Sequence, residues 1–482
     1  MFKNNRFIAA ALALVLGMSS CTDRFKDINT DKNDPTVVSP GALLGNVIFE
    51  AGKTISDRNM DIMTDVVQYS SGKIGGQRSF ANFNWSPDTG EDLWDMIYLN
   101  MTNVRDMNEK AAALDQKAYE GAALVMEAYL MSLATDAFGD VPYNEAWSLE
   151  SNILRPSYDT QELIYDSLLV KLDRANQLFA NDEIGMITGG DFIFDGDVEA
   201  WRGFGNALQL RLLARIIKQD PAQINKFAEV AKRPLLTSNA MYTFSGVAPD
   251  LSPVSLWRET DFNLRRLSVT MAELMNDLND PRRSAYYERP SGETEWVGCP
   301  IGYTIAQFDN DKNNPRYATL NQSFLNNGAY ANATFMSYAE QEFLLAEAVL
   351  NDWISGDAEI HYNRAVTSSI EFWNNYGANG LSAAEYLAQP TVAFTGELEQ
   401  ILTQKYIAQF ANPYEAWFDY QRTGFPSLQL DHTAKINNGD HPAKRFMYPS
   451  FEAMSNHDNM RAAIDRTMGG VDNINASIWW SK

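Results

Sequence analysis

"SYAEQEFLLAEAVLNDWISGDAEIHYNRAVTSSIEFW" (337–373) sets two apolar helical stripes on either side of one polar turn. Ser337 and Glu340 stand at capping-box spacing, where a hydroxyl accepts from the exposed N–H groups of a first helical turn. Leu345, Ala346 and Val349 recur at helical intervals, and Ala358, Tyr362 and Ala365 do so again beyond Ser355-Gly356-Asp357. Small and large apolar side chains at those offsets let one helix nest against an antiparallel partner. The stretch predicts a helical hairpin.

The offsets match the tetratricopeptide pattern, with Ile370 where the repeat usually closes on proline. "VEAWRGFGNALQLRLLARIIKQDP" (198–221) carries the same period in Trp201, Phe204, Leu208, Leu212 and Ile216. Asp197 is its expected N-cap and Pro221 its stop. Arg211 and Arg215 lie one turn apart on one face, which predicts pairing with acids on a neighbouring helix. Further helices are expected over 42–67, 93–114, 118–138, 161–179, 264–278 and 397–410, and no run of alternating strands is found. The fold class is therefore all-α, a tetratricopeptide-like hairpin scaffold near 337–370 with minor β content. Long irregular connections are expected over 70–92, 181–197, 234–262, 281–336 and 427–478. Connections of that length are functional or packed over the scaffold, so the ligand face is sought there.

The N-terminus reads differently. Lys3 and Arg6 precede a short apolar run from Phe7 to Leu16, about ten residues where a bilayer span needs roughly 20. A basic start, a short apolar run and small residues at Ser19 and Ser20 read as a secretory signal over 1–20. Cys21 follows directly, at the position where bacterial lipoproteins are cut and acylated. Several acyl chains anchor stably, at about 0.8 kcal/mol per buried CH₂. Residues 21–40 are polar and acidic and read as a tether, leaving 21–482 as one domain.

Across 482 residues, 39 basic side chains face 62 acidic ones, a formal net charge of −23. Cleavage removes Lys3 and Arg6 and moves it from −23 to −25. Such a surface repels phosphate backbones, which excludes nucleic-acid binding, and contact with the membrane falls to the lipid. Cys299 remains as a lone thiol and reads as a small buried hydrophobe.

Catalytic signatures are scarce in the sequence, although its many carboxylates leave a glycosidase-like pair open. His361, His432, His441 and His457 form no HExxH, and there is no Cys-x-x-Cys, no Gly-x-Ser-x-Gly and no phosphate-binding GxxxxGK[ST]. "DNDKNN" (309–314) begins like a calcium loop, but an EF-hand needs glycine where Asn314 stands and glutamate where Leu320 stands. No cofactor or metal is assigned, although an irregular calcium site stays open. Aromatics make up 12% of the chain, and flat rings beside amides suit the C–H faces and hydroxyls of sugars. "GGQRSFANFNWSPDTGEDLW" (75–94) and "YYERPSGETEW" (286–296) supply the candidate ligand residues Arg78, Asn82, Asn84, Trp85 and Trp296. The competing reading is that such rings cover the core beneath long loops.

Together the blocks resemble the SusD/RagB-like outer-membrane nutrient-binding lipoproteins of Bacteroidota, in the SusD-like 2 branch. The resemblance runs almost end to end, through "FKDINTDKNDPTVVSPGALL", "LWDMIYLNMTNV", "TDAFGDVPYNEAW", "WRGFGNALQLRLLARI", "DPRRSAYY", "YAEQEFLLAEA", "QILTQKYIAQFANPYEAWFDYQRTGFP" and "RFMYPSFE". It implies a helical body with a loop-built ligand face, anchored through Cys21 at the cell surface. It also implies a SusC-like TonB-dependent barrel as partner, which receives a captured oligosaccharide without catalysis. The same lid role for peptides is the alternative. A lipid-anchored glycoside hydrolase is a second alternative, and it needs a carboxylate pair at the loop face.

Overall fold

The computed structural model describes residues 38–71, 80–147, 152–181, 183–301, 316–376, 380–428 and 442–482. Cys21, Arg78, the 309–314 stretch, His432 and His441 lie outside them, as do the predicted signal and most of the tether.

Helices of eight or more residues are numbered here in chain order. They are α1 (Pro40–Arg58), α2 (Glu91–Ala113), α3 (Lys117–Phe138), α4 (Gln161–Phe179), α5 (Val198–Ile216) and α6 (Gln223–Val230). Then follow α7 (Val269–Asp277), α8 (Tyr338–Leu350), α9 (Ala358–Asn375), α10 (Leu398–Ala408), α11 (Pro413–Thr423) and α12 (His457–Thr467). From α1 to α6 each helix packs on the next, α8 and α9 form the predicted hairpin with α10 on α8, and α5 joins the two groups through α8. Among the described residues, strands are confined to three antiparallel pairs: β1 (Val141–Pro142) with β2 (Tyr158–Asp159), β3 (Ala240–Tyr242) with β6 (Ala333–Met336), and β4 (Tyr287–Glu288) with β5 (Thr319–Leu320). The class is all-α, as expected.

Local chemistry sets the boundaries. Ser337 Oγ accepts from Glu340 N at 3.0 Å and starts α8. Asp197 accepts from Glu199 N and Ala200 N and starts α5, as its position in sequence predicts. Pro413 opens α11 at its first turn, and Gly424, at φ +78°, closes it in the left-handed region. In the hairpin, Tyr362, Ala365 and Ile370 are all buried, so the isoleucine at the usual proline position fills a core site. Gly121 on α3 lies under the Phe179 ring, where a Cβ would come within 2.6 Å of Cζ, so α3 and α4 approach closely only with glycine there.

Glu340 does not close its capping box. Its carboxylate takes Arg211 instead, with Nε–Oε1 at 2.6 Å and Nη2–Oε2 at 2.7 Å. Arg215, one turn along, pairs with Asp136 of α3 at 2.6 Å and with Glu415 of α11. Asp136 also accepts from Tyr165 and Trp480. The predicted arginine pairing therefore stitches α3, α5, α8 and α11 together in the dry interior. Removing one partner from such a network typically costs about 3–5 kcal/mol, because it strands a buried charge.

Two expectations change. Of 264–278 only Val269–Asp277 is helical, because Leu267 and Ser268 form bridges to Ser70 and Cys299. The 427–478 stretch, expected to be irregular, contains α12.

Candidate functional site

Four segments distant in sequence meet where the 70–92 and 281–336 connections join the scaffold. Ser71 N donates to Arg266 O at 3.0 Å, Leu267 N to Ala318 O at 3.0 Å, Cys299 N to Leu267 O at 2.7 Å, and Ala318 N to Val297 O at 3.0 Å. The pair β4–β5 extends this lattice. Gly298 permits the closest approach, since a Cβ there would fall 2.3 Å from Ser268 O. Cys299 is buried with Tyr317, against the partly buried Val297, and acts as a small hydrophobe, as the sequence suggests. Short extended pieces thus fix the chain at 297–299 and 317–320.

Trp296 directly precedes Val297, so the lattice holds it at an edge. It is half-buried, and its carbonyl accepts from Asn276 Nδ2 of α7 at 2.9 Å. The guanidinium carbons of Arg289 and Arg283 lie 5.3 and 5.9 Å from its ring centroid, within cation–π range. Arg283 donates to Asn276 Oδ1 at 3.2 Å and Asn279 Oδ1 at 2.7 Å, and Arg289 to Thr294 O at 2.6 Å. These acceptors are neutral, so they orient both cations without cancelling their charge. Burial lowers the Arg283 guanidinium from its ordinary value, against Asp280, which raises it. The corner offers one ring for a sugar's C–H face and several N–H donors for its oxygens.

The other sequence candidates divide. Asn84 is exposed, and Asn82 is half-buried in the short turn Phe80–Asn82. Trp85 does not fit the stacking role expected of it. Its Nε1 donates to Phe80 O at 3.0 Å, and its ring lies 4.9 Å from Phe446, 5.7 Å from Phe83 and 6.0 Å from Trp417. Only 8% of Trp85 is exposed, so its faces belong to the core. Tyr286 and Tyr287 are also core rings, with Tyr286 stacked on Phe410 at 4.1 Å. Among the described residues, Trp85 and Trp296 share no ring or cation partner.

Arg283, Arg289, Asn276 and Asn279 were not singled out from sequence. "DPRRSAYY" carried a signal in its paired arginines: Arg282 is consumed by buried Asp280, which leaves Arg283 for the corner. Among the described residues no group of three or more His, Cys, Asp or Glu is placed to hold a metal ion. None of their helices is long and apolar enough to cross a membrane.

A family model described as "SusD-like_2: Starch-binding associating with outer membrane" matches residues 32–449. The structure is similar to that of a SusD homologue from Bacteroides fragilis NCTC 9343, at 25% identity and TM-score 0.81, covering 92% of this chain and 100% of that one. An outer-membrane protein of Bacteroides vulgatus ATCC 8482, described as involved in nutrient binding, gives the same four values: 25%, 0.81, 92% and 100%. A chitin-binding SusD homologue from Flavobacterium johnsoniae shares the fold at 22% identity and TM-score 0.77, over 92% of this chain and 98% of that one. No curated protein matches the chain in sequence.

Proposed function

The chain belongs to the SusD-like 2 family, and on that premise we propose that it is a cell-surface lipoprotein that captures an oligosaccharide and passes it to a SusC-like TonB-dependent barrel. The family is one of carbohydrate- and nutrient-binding proteins associated with the outer membrane. The observation that carries the reading is the match over 32–449, which spans nearly the whole mature chain. The chitin-binding relative and the Trp296 corner support a sugar over a peptide.

In this reading no bond is made or broken. The sugar's apolar face stacks on Trp296, while Arg283 and Arg289 donate to ring and hydroxyl oxygens. Asn82, Asn84 and Arg78, on the 70–92 connection, are proposed as further ligand contacts. Acyl chains on Cys21 hold the protein at the membrane, which frees an acidic body from any need to bind lipid headgroups.

Titration of the mature protein against a glycan panel, with sugar length followed in the same samples, tests the ligand and the absence of turnover together. Saturable binding with intact sugar is expected. Binding of peptides alone turns the ligand assignment to peptide, and shortened sugar turns the protein into a hydrolase. Mild detergent extraction followed by pull-down should recover a TonB-dependent barrel; recovery of the protein alone counts against the partner. Palmitate labelling should mark the wild type and spare Cys21→Ala.

A further inference from the structure

The helix α9 buries Tyr362, Ala365, Val366 and Ile370 against its neighbours. Its outer face carries Asn363, Thr367, Ser368 and Asn375. All four are weaker helix formers than the alanine, glutamate or lysine that usually serve exposed turns. Among the described residues, none of these four side chains has a hydrogen-bond partner. Helix stability does not account for that face.

It forms one wall of a cleft of about 620 Å³, which the 237–241 segment closes on the other side. The rings of Tyr338, Phe372 and Tyr376 line it, and Arg364 and Glu371 contribute one charge of each sign. Thr237 and Ser238 also line a second cleft of about 800 Å³, beside the rings of Phe49, Phe192 and Tyr242. The hydroxyls of Thr243 in the second cleft and Tyr376 in the first lie 3.4 Å apart. Phe192 is 57% exposed, a large ring left open to solvent. The two clefts meet at Thr237 and Ser238, which line both, and neither shares a lining residue with the Trp296 corner.

We propose that this groove is a second saccharide site that takes an uncharged oligosaccharide across both clefts. Hydroxyls and amides both donate and accept, which suits sugar hydroxyls. The rings supply apolar faces at intervals along the groove. Asp195 and Asp250 in the second cleft disfavour an anionic chain. A polymer engaged at both the groove and the corner gains avidity without any new contact. The inference rests on the proposal that the captured nutrient is a glycan.

Hydrogen exchange on the mature protein, with maltohexaose, xylohexaose or chitohexaose as probe, tests it. One probe should protect 237–243 and 363–376 in addition to 288–301. The double variant Ser368→Lys with Asn375→Lys should abolish protection in the groove and keep it at 288–301, with at least about a 10-fold affinity loss at the groove, or roughly 1.4 kcal/mol. Trp296→Ala should do the reverse. Protection confined to 288–301, or groove protection indifferent to the lysines, overturns the proposal. Groove protection by a mixed decapeptide and by no sugar overturns it as well. Protection in the groove alone sinks the assignment of the corner and leaves the groove standing.

Discussion

Trp85 and Trp296 occupy similar sequence surroundings, each in a long connection among acids, amides and prolines, yet the structure uses them in opposite ways. Trp85 is enclosed by Phe83, Trp417 and Phe446. Trp296 keeps a half-buried ring with two guanidiniums over it. The difference does not lie in the residues next to either tryptophan. Two of the rings that cover Trp85 come from more than 300 residues away, whereas the partners of Trp296 come from its own loop and the neighbouring turn. A ring in a loop stays open to solvent only where no distant segment folds over it.

The comparison makes graded predictions. Trp85→Ala should lower unfolding free energy by about 3–5 kcal/mol, as for other large buried rings. Urea denaturation reads this directly, and a loss under about 1 kcal/mol would return Trp85 to the surface. The next effect concerns Asp65, fully buried beneath the same turn, which accepts from Ser70 Oγ at 2.5 Å and from the backbone of Phe80. Burial raises its carboxyl to about 6, against Arg265 and Ser70, which lower it. Because the folded state then holds this proton more tightly than the unfolded chain, Asp65 costs stability as pH rises from about 4 through 6. Asp65→Asn should therefore stabilise the protein by on the order of 2 kcal/mol at pH 7.5 and leave it nearly unchanged below pH 4. Equal denaturation midpoints for both proteins at pH 7.5 would remove that account. Smallest of all, Trp296→Ala should stay within about 1 kcal/mol of wild type, since it removes a half-exposed ring.

Much of the scaffold is legible in sequence because its causes are local. Asp197, Ser337 and the 3.6-residue stripes of α5, α8 and α9 mark helices within a few turns, and Arg211 and Arg215 announce an acidic neighbour through their shared face. The helix α12 escaped notice because only Ala463 and Ile464 of its eleven residues are buried, too few to show a period. The corner is harder still. The position of Trp296 depends on a lattice joining segments near 70, 267, 298 and 318, and no periodicity links those positions. Composition marks Trp296, whereas Arg283 and Arg289 reach its ring only because the loop folds back on α7. The groove on α9 left a fainter trace, a run of Asn, Thr and Ser where a plain helix would carry longer side chains.

Calorimetric titration with the best-bound glycan, run side by side on wild type, Trp85→Ala and Trp296→Ala at a temperature where all three are folded, tests the account most directly. It predicts at least about a 10-fold weaker dissociation constant for Trp296→Ala at the corner, or roughly 1.4 kcal/mol, and wild-type affinity for Trp85→Ala. Wild-type affinity in Trp296→Ala, with the loss appearing in Trp85→Ala instead, would contradict it.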